Sequence, residues 1–433
     1  MPSAPQSSFV IRTFATLAHV LLALGMLPPS MLSAQAATYQ HVDTSMQKRC
    51  LEPRFTESPA RLDELHTLYV EQQAVSPQSD GRVLVAGDPV FLWRRTGERH
   101  EFVEQDSMIG MVITPPSHVS AVISPLPGRH LTSMRAATLP DGWWLVVAAE
   151  VVPVQAPKDP RVLALWSGET DGTRWRAVQK LPSVPDSLLM TTISMSAIAY
   201  RDGKALFSIQ GLRGDQPRVV LYESTPNGWT VSSIVVGTRS YVATALTSSH
   251  ELLAVVENDS TEQEDVNSLF VYAKRYQDSV WTGRTRLVRG YRSPVYDPTL
   301  DVRSDGMVLT WRRTAENGRD NAAWSARLND AGELVGALRY VTDGSRLLYH
   351  AVRGDRGVWA LTNWNRPLDR QQLIEHDADA VPSNSIVSAT PLGGLLGIAI
   401  TSDFFVLVAS RRAVSPDDPA VISLIRAYPW RCQ

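Results

Sequence analysis

Short apolar runs, rich in β-branched and aromatic residues, recur along most of the chain, and each follows a turn-like pair such as Asp-Gly. This alternation of brief strands with tight turns is typical of β-hairpins. The runs are RVLVAG from residue 82, WWLVVAA from 143, KALFSIQ from 204, ELLAVVE from 251, MVLTW from 307, VWALTNW from 358 and FFVLVAS from 404. Their starts are roughly 47 to 61 residues apart, which indicates an internal repeat.

Each run is followed by a loop, a second apolar strand, a turn and a shorter strand. Between residues 160 and 180 these elements are RVLALW, a turn at 168–172, and WRAVQKL. Helical periodicity is almost absent, although Ser58-Pro59 before RLDELHTLYV is compatible with either a short helix or a strand. Repeats of this length with four short strands each predict an all-β fold, a single β-propeller of about seven four-stranded blades. The irregular spacing also allows six or eight blades, and two stacked β-sandwiches joined near residues 156–160 are the alternative architecture.

The two ends of the chain bear on how such a ring closes. The last repeat, from about Leu395 to Trp430, supplies about three strands, so we expect a strand within residues 37–56 to complete it. The only two cysteines, Cys50 and Cys432, lie near these ends. In an oxidising compartment they predict one disulfide that fastens the ring, with two free thiols as the alternative.

Residues 1–36 have the order of a secretory signal peptide. Arg12 is their only charge, an apolar run spans 14–27, and the segment ends in Ala34-Gln35-Ala36. Pro28 helps to cut the apolar run below the ~20 residues that a membrane span needs. We therefore expect residues 37–433 to form the propeller domain, to lie outside the cytoplasm, in the periplasm or secreted, and to contain no membrane span.

Composition narrows the function classes. The chain has 433 residues, 42 basic and 44 acidic side chains and 44% hydrophobic content. These values exclude a disordered chain and a small disulfide-rich scaffold, and they disfavour a nucleic-acid-binding protein, which normally carries excess positive charge. Of the basic residues 37 are arginine, with doublets at 94–95, 312–313 and 411–412. Guanidinium groups suit carboxylate, sulfate or phosphate ligands, although a coding bias towards arginine, with the side chains paired to the protein's own acids, explains the count as well.

One turn carries a family resemblance. The string from Thr170 to Trp175, TDGTRW, is similar to a shortened Asp box, Ser/Thr-x-Asp-x-Gly-x-x-Trp, and Asp297-Pro298-Thr299-Leu300 is similar to strand openings in such repeats. The chain thus resembles the sialidase-like, Asp-box type β-propeller superfamily at the level of fold. The resemblance implies a catalytic set near the ring axis, made of an arginine triad, a Tyr assisted by Glu, and an acidic proton donor. The Arg-Ile-Pro signature of that family does not stand at the start of this chain.

Direct motifs for chemistry are missing from the sequence, so the catalytic residues stay unknown. There is no G-x-S-x-G, H-E-x-x-H or phosphate-loop string. The candidate ligand-binding cluster is GYRSPVYDPTLD, which opens a repeat and contains Arg292, Tyr296, Asp297 and Asp301. The first strand of a blade faces the ring axis, so these residues would reach a ligand there. The alternative is a proline-stiffened loop with its own salt bridges.

The sequence context separates an aromatic residue that could contact a ligand from aromatic and histidine residues that are expected to pack in the core. Trp364 lies between two asparagines in a polar turn, where an indole can stack on a sugar or anchor an interface. Trp93, Trp311 and Trp359 occupy similar strand positions and are predicted to pack between blades. His350, within LLYHAV, is predicted to be a packed, hydrogen-bonded core residue.

No cofactor is predicted. Residues 257–265 hold five carboxylates, which raises calcium as an alternative, but the segment lacks the EF-hand order and its glycine. A solvated hairpin tip is the preferred interpretation.

Two functions follow from these patterns. The first is a secreted or periplasmic propeller that acts as a binding module for a protein or glycan ligand. The alternative is a sialidase-like glycoside hydrolase with an axial, arginine-rich active site. Whether the protein is an enzyme stays open at this stage, and the sequence specifies neither the ligand nor the oligomeric state.

Overall fold

All regular structure in the described part of the chain is β-strand. The computed structural model describes residues 66–67, 74–87, 91–96, 99–104, 108–114, 118–129, 131–151, 162–183, 195–213, 216–235, 241–258, 267–281, 283–290, 295–303, 306–314, 321–343, 345–353, 356–363, 370–377, 379–387, 395–401, 404–412 and 421–429. All of these residues belong to one compact unit spanning residues 39–433.

The strands of the first half are β1 (His66–Thr67), β2 (Ala74–Pro77), β3 (Val83–Ala86), β4 (Phe91–Thr96), β5 (Arg99–Glu104), β6 (Met108–Thr114), β7 (His118–Ile123), β8 (Leu131–Thr138), β9 (Trp144–Val151), β10 (Val162–Thr170), β11 (Trp175–Lys180), β12 (Ala199–Arg201), β13 (Lys204–Arg213), β14 (Gln216–Thr225) and β15 (Gly228–Val235). Those of the second half are β16 (Tyr241–Leu246), β17 (His250–Asn258), β18 (Asn267–Arg275), β19 (Gly283–Val288), β20 (Val295–Arg303), β21 (Gly306–Thr314), β22 (Asn321–Leu328), β23 (Leu334–Asp343), β24 (Ser345–Arg353), β25 (Arg356–Asn363), β26 (Arg370–His376), β27 (Pro382–Val387), β28 (Leu395–Ile400), β29 (Phe404–Arg412) and β30 (Val421–Pro429).

These strands form six four-stranded antiparallel sheets. Their orders are β2-β3-β6-β7, β8 to β11, β12 to β15, β16 to β19, β20 to β23 and β24 to β27. The first strands of successive sheets contact one another, so they line a common centre. This arrangement is a β-propeller, and it rules out the alternative of two stacked sandwiches.

Blade number is where the prediction needs correction. All seven predicted runs do form the second strand of a sheet, at β3, β9, β13, β17, β21, β25 and β29. Six of those sheets have four strands, but the last, β28-β29-β30, has three. Seven four-stranded blades are therefore not shown. The expected completing strand at 37–56, the signal segment 1–36, Cys50 and Cys432 lie outside the described residues.

The first blade contains an insertion that the repeat pattern did not predict. Strands β4 and β5 leave the blade between β3 and β6, and β4 pairs with β1 in a separate three-stranded sheet. Trp93 lies on this inserted β4, whereas Trp311 and Trp359 lie on second strands of true blades. The predicted equivalence of Trp93 with the other two tryptophans is therefore wrong.

The hydrophobic core lies between neighbouring blades. One cluster joins strands β8 to β10 with β12 to β14 and includes Leu145, Phe207 and Tyr222. Another joins the fifth blade, β20 to β23, to the sixth, β24 to β27, and includes Val308 and Trp359. Because each blade buries both of its faces in this way, the second strands read as nearly continuous apolar runs.

Antiparallel order within each blade gives the propeller two distinct ends. We call the end at which the innermost strands begin, marked by Tyr241 and Tyr296, the entry end. The end at which they finish, marked by Leu246 and Arg303, is the exit end. The Asp-Gly turns lie at the exit end, and one of them, Asp202-Gly203, has φ of 50° and 81° at its two central residues. Positive φ at both positions is the type I′ turn that two-residue hairpins favour.

Candidate functional site

Two innermost strands are distorted near the entry end. In β20 the pairing with β21 skips between Tyr296 and Thr299, and Asp297 adopts a φ of 46°. In β8 the pairing with β9 skips between Thr132 and Arg135, and Ser133 adopts a φ of 52°. A bulge re-aims the side chains around it, and a left-handed conformation is costly for residues other than glycine. Both distortions therefore single out this level of the ring as a candidate site.

The bulge in β20 places a carboxylate against a guanidinium. Asp297 accepts a hydrogen bond from Arg312, which lies on β21 directly opposite Tyr296. The Asp297 side chain is 33% exposed and that of Arg312 16% exposed, so solvent reaches the pair. An ion pair that solvent partly reaches can exchange part of its hydrogen bonding with a polar ligand.

Charged groups from separate blades act on one tyrosine near this pair. Burial raises the pKa of Tyr349, on β24, to about 12, and the negative charge of Asp297 acts in the same direction. The positive charges of Arg135 and Arg312 oppose this increase. Tyr349 therefore keeps its proton at neutral pH and can donate a hydrogen bond.

The position of Arg135 locates this group at the centre of the ring. Arg135 belongs to the second blade, yet its charge influences Tyr349 in the sixth. Both residues lie on innermost strands, β8 and β24, which line the common centre of the ring. The guanidinium is fixed by donating to the backbone oxygens of Met195, at 3.0 Å, and Met134, at 2.8 Å.

An exposed aromatic pair lies at the entry end, next to the bulge. The rings of Tyr241, the first residue of β16, and Tyr296 meet edge to face with centroids 6.2 Å apart. Tyr241 is 40% exposed. Within the part of the chain that the structure describes, the hydroxyls of Tyr296 and Tyr349 make no hydrogen bond. Aromatic faces beside donors and acceptors are what a carbohydrate ring requires of a binding surface.

The structure divides the predicted cluster. Tyr296 and Asp297 lie together at the entry end, whereas Asp301 points to another partner, the Nδ1 atom of His350 on β24. Arg292 and Trp364 lie outside the described residues, so their side chains are not placed. Arg135 and Tyr349 belong to no sequence motif, and only Arg312 had a signal, as part of an arginine doublet.

Asp301 belongs to a second, closed group nearer the exit end. Its carboxylate contacts His350, whose Nε2 atom lies 2.6 Å from Nε2 of His376. The side chain of His350 has no exposed surface, and His376 is 1% exposed. The indole of Trp359 stacks on His376 with centroids 3.9 Å apart. His350 is thus a buried, hydrogen-bonded residue, as predicted, and its partners come from three different strands.

The acidic segment 257–265 is described only at its first two residues. Glu257 is 2% exposed and accepts hydrogen bonds from Tyr272, at 2.7 Å, and from Arg284, at 2.8 Å. This carboxylate is therefore used within its own blade. Among the described residues, no group of three or more His, Cys, Asp or Glu side chains is placed to hold a metal ion.

No described helix is long and apolar enough to cross a membrane. Neither a protein-family model nor a curated protein matches this chain.

Several solved β-propeller structures are similar to it at low identity. An α-L-arabinofuranosidase of Fusarium graminearum shares 12% identity over 70% of this chain and 96% of its own, with a TM-score of 0.45. A polysaccharide lyase, a PL25 ulvan lyase, shares 10% over 83% and 93%, with a TM-score of 0.49. The β-propeller domain of a trilobed protease from Pyrococcus furiosus shares 10% over 83% and 96%, with a TM-score of 0.44. Such similarity carries no function to this chain, and the fold assignment rests on its own sheet topology.

Proposed function

We propose that the protein is a binding module that holds a glycan at the entry end of the propeller. The observation that carries this proposal is the Tyr241–Tyr296 pair beside the partly exposed Asp297–Arg312 ion pair. In this assignment the aromatic faces stack on a sugar ring. The carboxylate, the guanidinium and the hydroxyl of Tyr349 exchange hydrogen bonds with its hydroxyl groups.

Binding is favoured over catalysis because of the charges around Tyr349. Glycoside hydrolysis ordinarily needs two carboxyl groups, one on each side of the scissile bond. Among the described residues, the charged groups that act on Tyr349 are one carboxylate, Asp297, and two arginines, Arg135 and Arg312. The nearest other carboxylate on the same strand, Asp301, is engaged by His350.

The proposal also covers the compartment in which the protein acts and the way in which the ring of blades is closed. Residues 1–36 would direct the protein out of the cytoplasm, and a strand from 37–56 would complete the three-stranded sheet as a seventh blade. A disulfide between Cys50 and Cys432 would fix that closure. Support comes from the order of charged, apolar and small residues at the N-terminus and from the sheet β28-β29-β30, which has three strands among the described residues where the other blades have four.

The test is binding of the full-length protein to a glycan array, followed by calorimetry on the tightest ligand. Tyr241→Ala should weaken binding at least about tenfold, or ~1.4 kcal/mol, because it removes the stacking surface. Tyr349→Phe should weaken it to a smaller extent, because it removes one hydroxyl. Tyr276→Ala is the matched control, since Tyr276 is 39% exposed like Tyr241 but lies at the exit end.

Three results would contradict the proposal. Equal losses for Tyr241→Ala and Tyr276→Ala would show that the entry end is not the binding site. Turnover of a fluorogenic glycoside panel, including a sialoside, that disappears in Asp297→Ala would show an enzyme instead. Binding to proteins but to no glycan would identify the other ligand class.

A further inference from the structure

Two buried histidines face each other between the fifth and sixth blades. The Nε2 atoms of His350, on β24, and His376, at the end of β26, lie 2.6 Å apart. Trp359 stacks on the ring of His376, and Gly357 approaches the same ring so closely that a β-carbon there would collide with it. The two rings are therefore enclosed, and their hydrogen bonds must be satisfied by protein groups.

The other nitrogen of each ring contacts an acceptor. Nδ1 of His350 meets the carboxylate of Asp301, and Nδ1 of His376 lies 2.9 Å from the backbone oxygen of Asp377. Ionised carboxylates and carbonyl oxygens only accept hydrogen bonds, so both Nδ1 atoms carry hydrogen. In a neutral imidazole the remaining nitrogen, Nε2, is then a bare lone pair.

Arg303 offers a competing arrangement for His376. Its Nη2 atom lies 3.4 Å from Nδ1 of His376, which would require a bare Nδ1. That contact is longer than the 2.9 Å between Nδ1 and the oxygen of Asp377. Nη1 of Arg303 also donates to this oxygen, at 2.9 Å, so Arg303 already has a better acceptor. The shorter contact assigns the hydrogen to Nδ1 of His376.

We infer that His350 and His376 share one bound proton between their Nε2 atoms. Two lone pairs 2.6 Å apart in a buried site would repel each other, whereas one proton between them forms a short, charge-assisted hydrogen bond. The positive charge is balanced by Asp301, so the three side chains together are neutral. A metal ion fits less well, because two nitrogens on a tetrahedral zinc lie about 3.3 Å apart.

The shared proton makes this contact between blades depend on pH. In the unfolded chain each histidine titrates near pH 6.5, so the pair binds on average about one proton there, fewer above and more below. The folded pair keeps one proton on both sides of that value. By linkage, its contribution to stability is largest near pH ~6.5 and falls in both directions.

The acid side of this dependence has independent support. Burial lowers the pKa of His376 well below its usual value, and the neighbouring His350 and Arg303 act in the same direction. A group whose pKa is depressed by folding loses its stabilising contribution as the pH falls below the unfolded value. The charged side chains that face the pair are Asp301 and Arg303, both on β20.

The test is urea unfolding of the full-length protein and the double variant His350→Gln/His376→Gln between about pH 5 and 9. The unfolding constant of the double variant divided by that of the wild type should be largest near pH ~6.5. At about pH 5 and pH 8 this ratio should be up to about eightfold smaller. His250→Gln is the control, because His250 lies in an exit-end turn bonded to Ser249, and its ratio should show no such maximum.

Other outcomes would overturn the inference. A ratio that rises from pH 5 and then stays level would indicate two neutral rings without a shared proton. Stoichiometric zinc or copper in the purified protein would place a metal between the rings. If the double variant does not fold, nitrogen-resolved NMR of the wild-type histidines decides, since sharing requires hydrogen on both Nδ1 atoms.

Discussion

Strands β20 and β24 contribute residues to two polar groups that differ in how far their side chains are enclosed. At the entry end the Asp297 and Arg312 side chains form an ion pair that is 33% and 16% exposed. Nearer the exit end the rings of His350 and His376 are enclosed and every ring nitrogen has a partner, while the Asp301 side chain that contacts His350 is 24% exposed. The comparison teaches that polar residues near a propeller axis are not all ligand-binding residues. The two histidines are set apart because their rings are enclosed and each ring nitrogen already has a protein partner.

Local geometry explains how the strands separate the groups. Tyr349 and His350 are consecutive residues of β24, and consecutive strand residues point to opposite faces. On β20 the bulge after Tyr296 changes the alternation, so Asp297 turns to its own blade while Asp301 reaches the next one. A change at one group should therefore leave the other largely intact.

The largest expected effect is a loss of stability when Trp359, beside the histidine pair, is truncated. Trp359 is fully buried, stacks on His376 and donates to Thr310 at 3.1 Å. Trp359→Ala should lower the free energy of unfolding by about 4 kcal/mol through cavity formation. Tyr296→Ala, at the open group, should lower it by less than about 1 kcal/mol. Urea denaturation measures both, and equal losses would show that the entry-end group is also structural.

A smaller effect should come from crowding the closed group. Gly357→Ala places a β-carbon against the His376 ring and should cost about 2 kcal/mol, because backbone or ring must shift. Gly283→Ala is the control, since its nearest neighbour would lie 3.4 Å away, in ordinary contact. Thermal unfolding of the two variants gives the comparison. Similar melting temperatures would mean that the His376 ring has room to move.

The smallest expected effect concerns an acid-sensitive turn that does not involve the histidine pair. Partial burial alone would raise the pKa of Asp171, but hydrogen bonds from the backbone nitrogens of Thr173 and Arg174 outweigh it and hold the pKa well below its usual value. Its stabilisation is therefore present above pH ~3.9 and lost as the pH falls further.

Asp171→Asn should cost about 1 to 2 kcal/mol at pH 7 and less near pH 2, because the carboxyl group is then protonated in the unfolded chain while it stays ionised in the folded turn. Unfolding at the two pH values checks this. A cost that does not change with pH would show that the carboxylate charge is not what stabilises the turn.

Local signals in the sequence predict the strands and turns, but they do not predict which polar residues come together in the two groups. The run KALFSIQ after Asp202-Gly203 forms the second strand of its blade because turn chemistry and burial act locally. Trp93 was misassigned because an inserted hairpin has the same local pattern as a blade hairpin. Asp301 and His350 are 49 positions apart, and Arg135 lies still further from Tyr349. Packing of neighbouring blades brings Asp301 to His350, and the ring arrangement of the innermost strands relates Arg135 to Tyr349; no spacing rule in the sequence encodes either.

The insertion in the first blade has a consequence for how this ring can diversify. Strands β3 and β6 pair continuously, from Val83 with Ile113 to Ala86 with Gly110, as if β4 and β5 were not there. The excursion leaves and returns at the entry end, the same end as the Tyr241–Tyr296 pair. The pairing of β3 with β6 therefore does not depend on the inserted strands. Related chains could lengthen, exchange or lose it, and an engineer could graft another loop there, without disturbing the pairing of the blade.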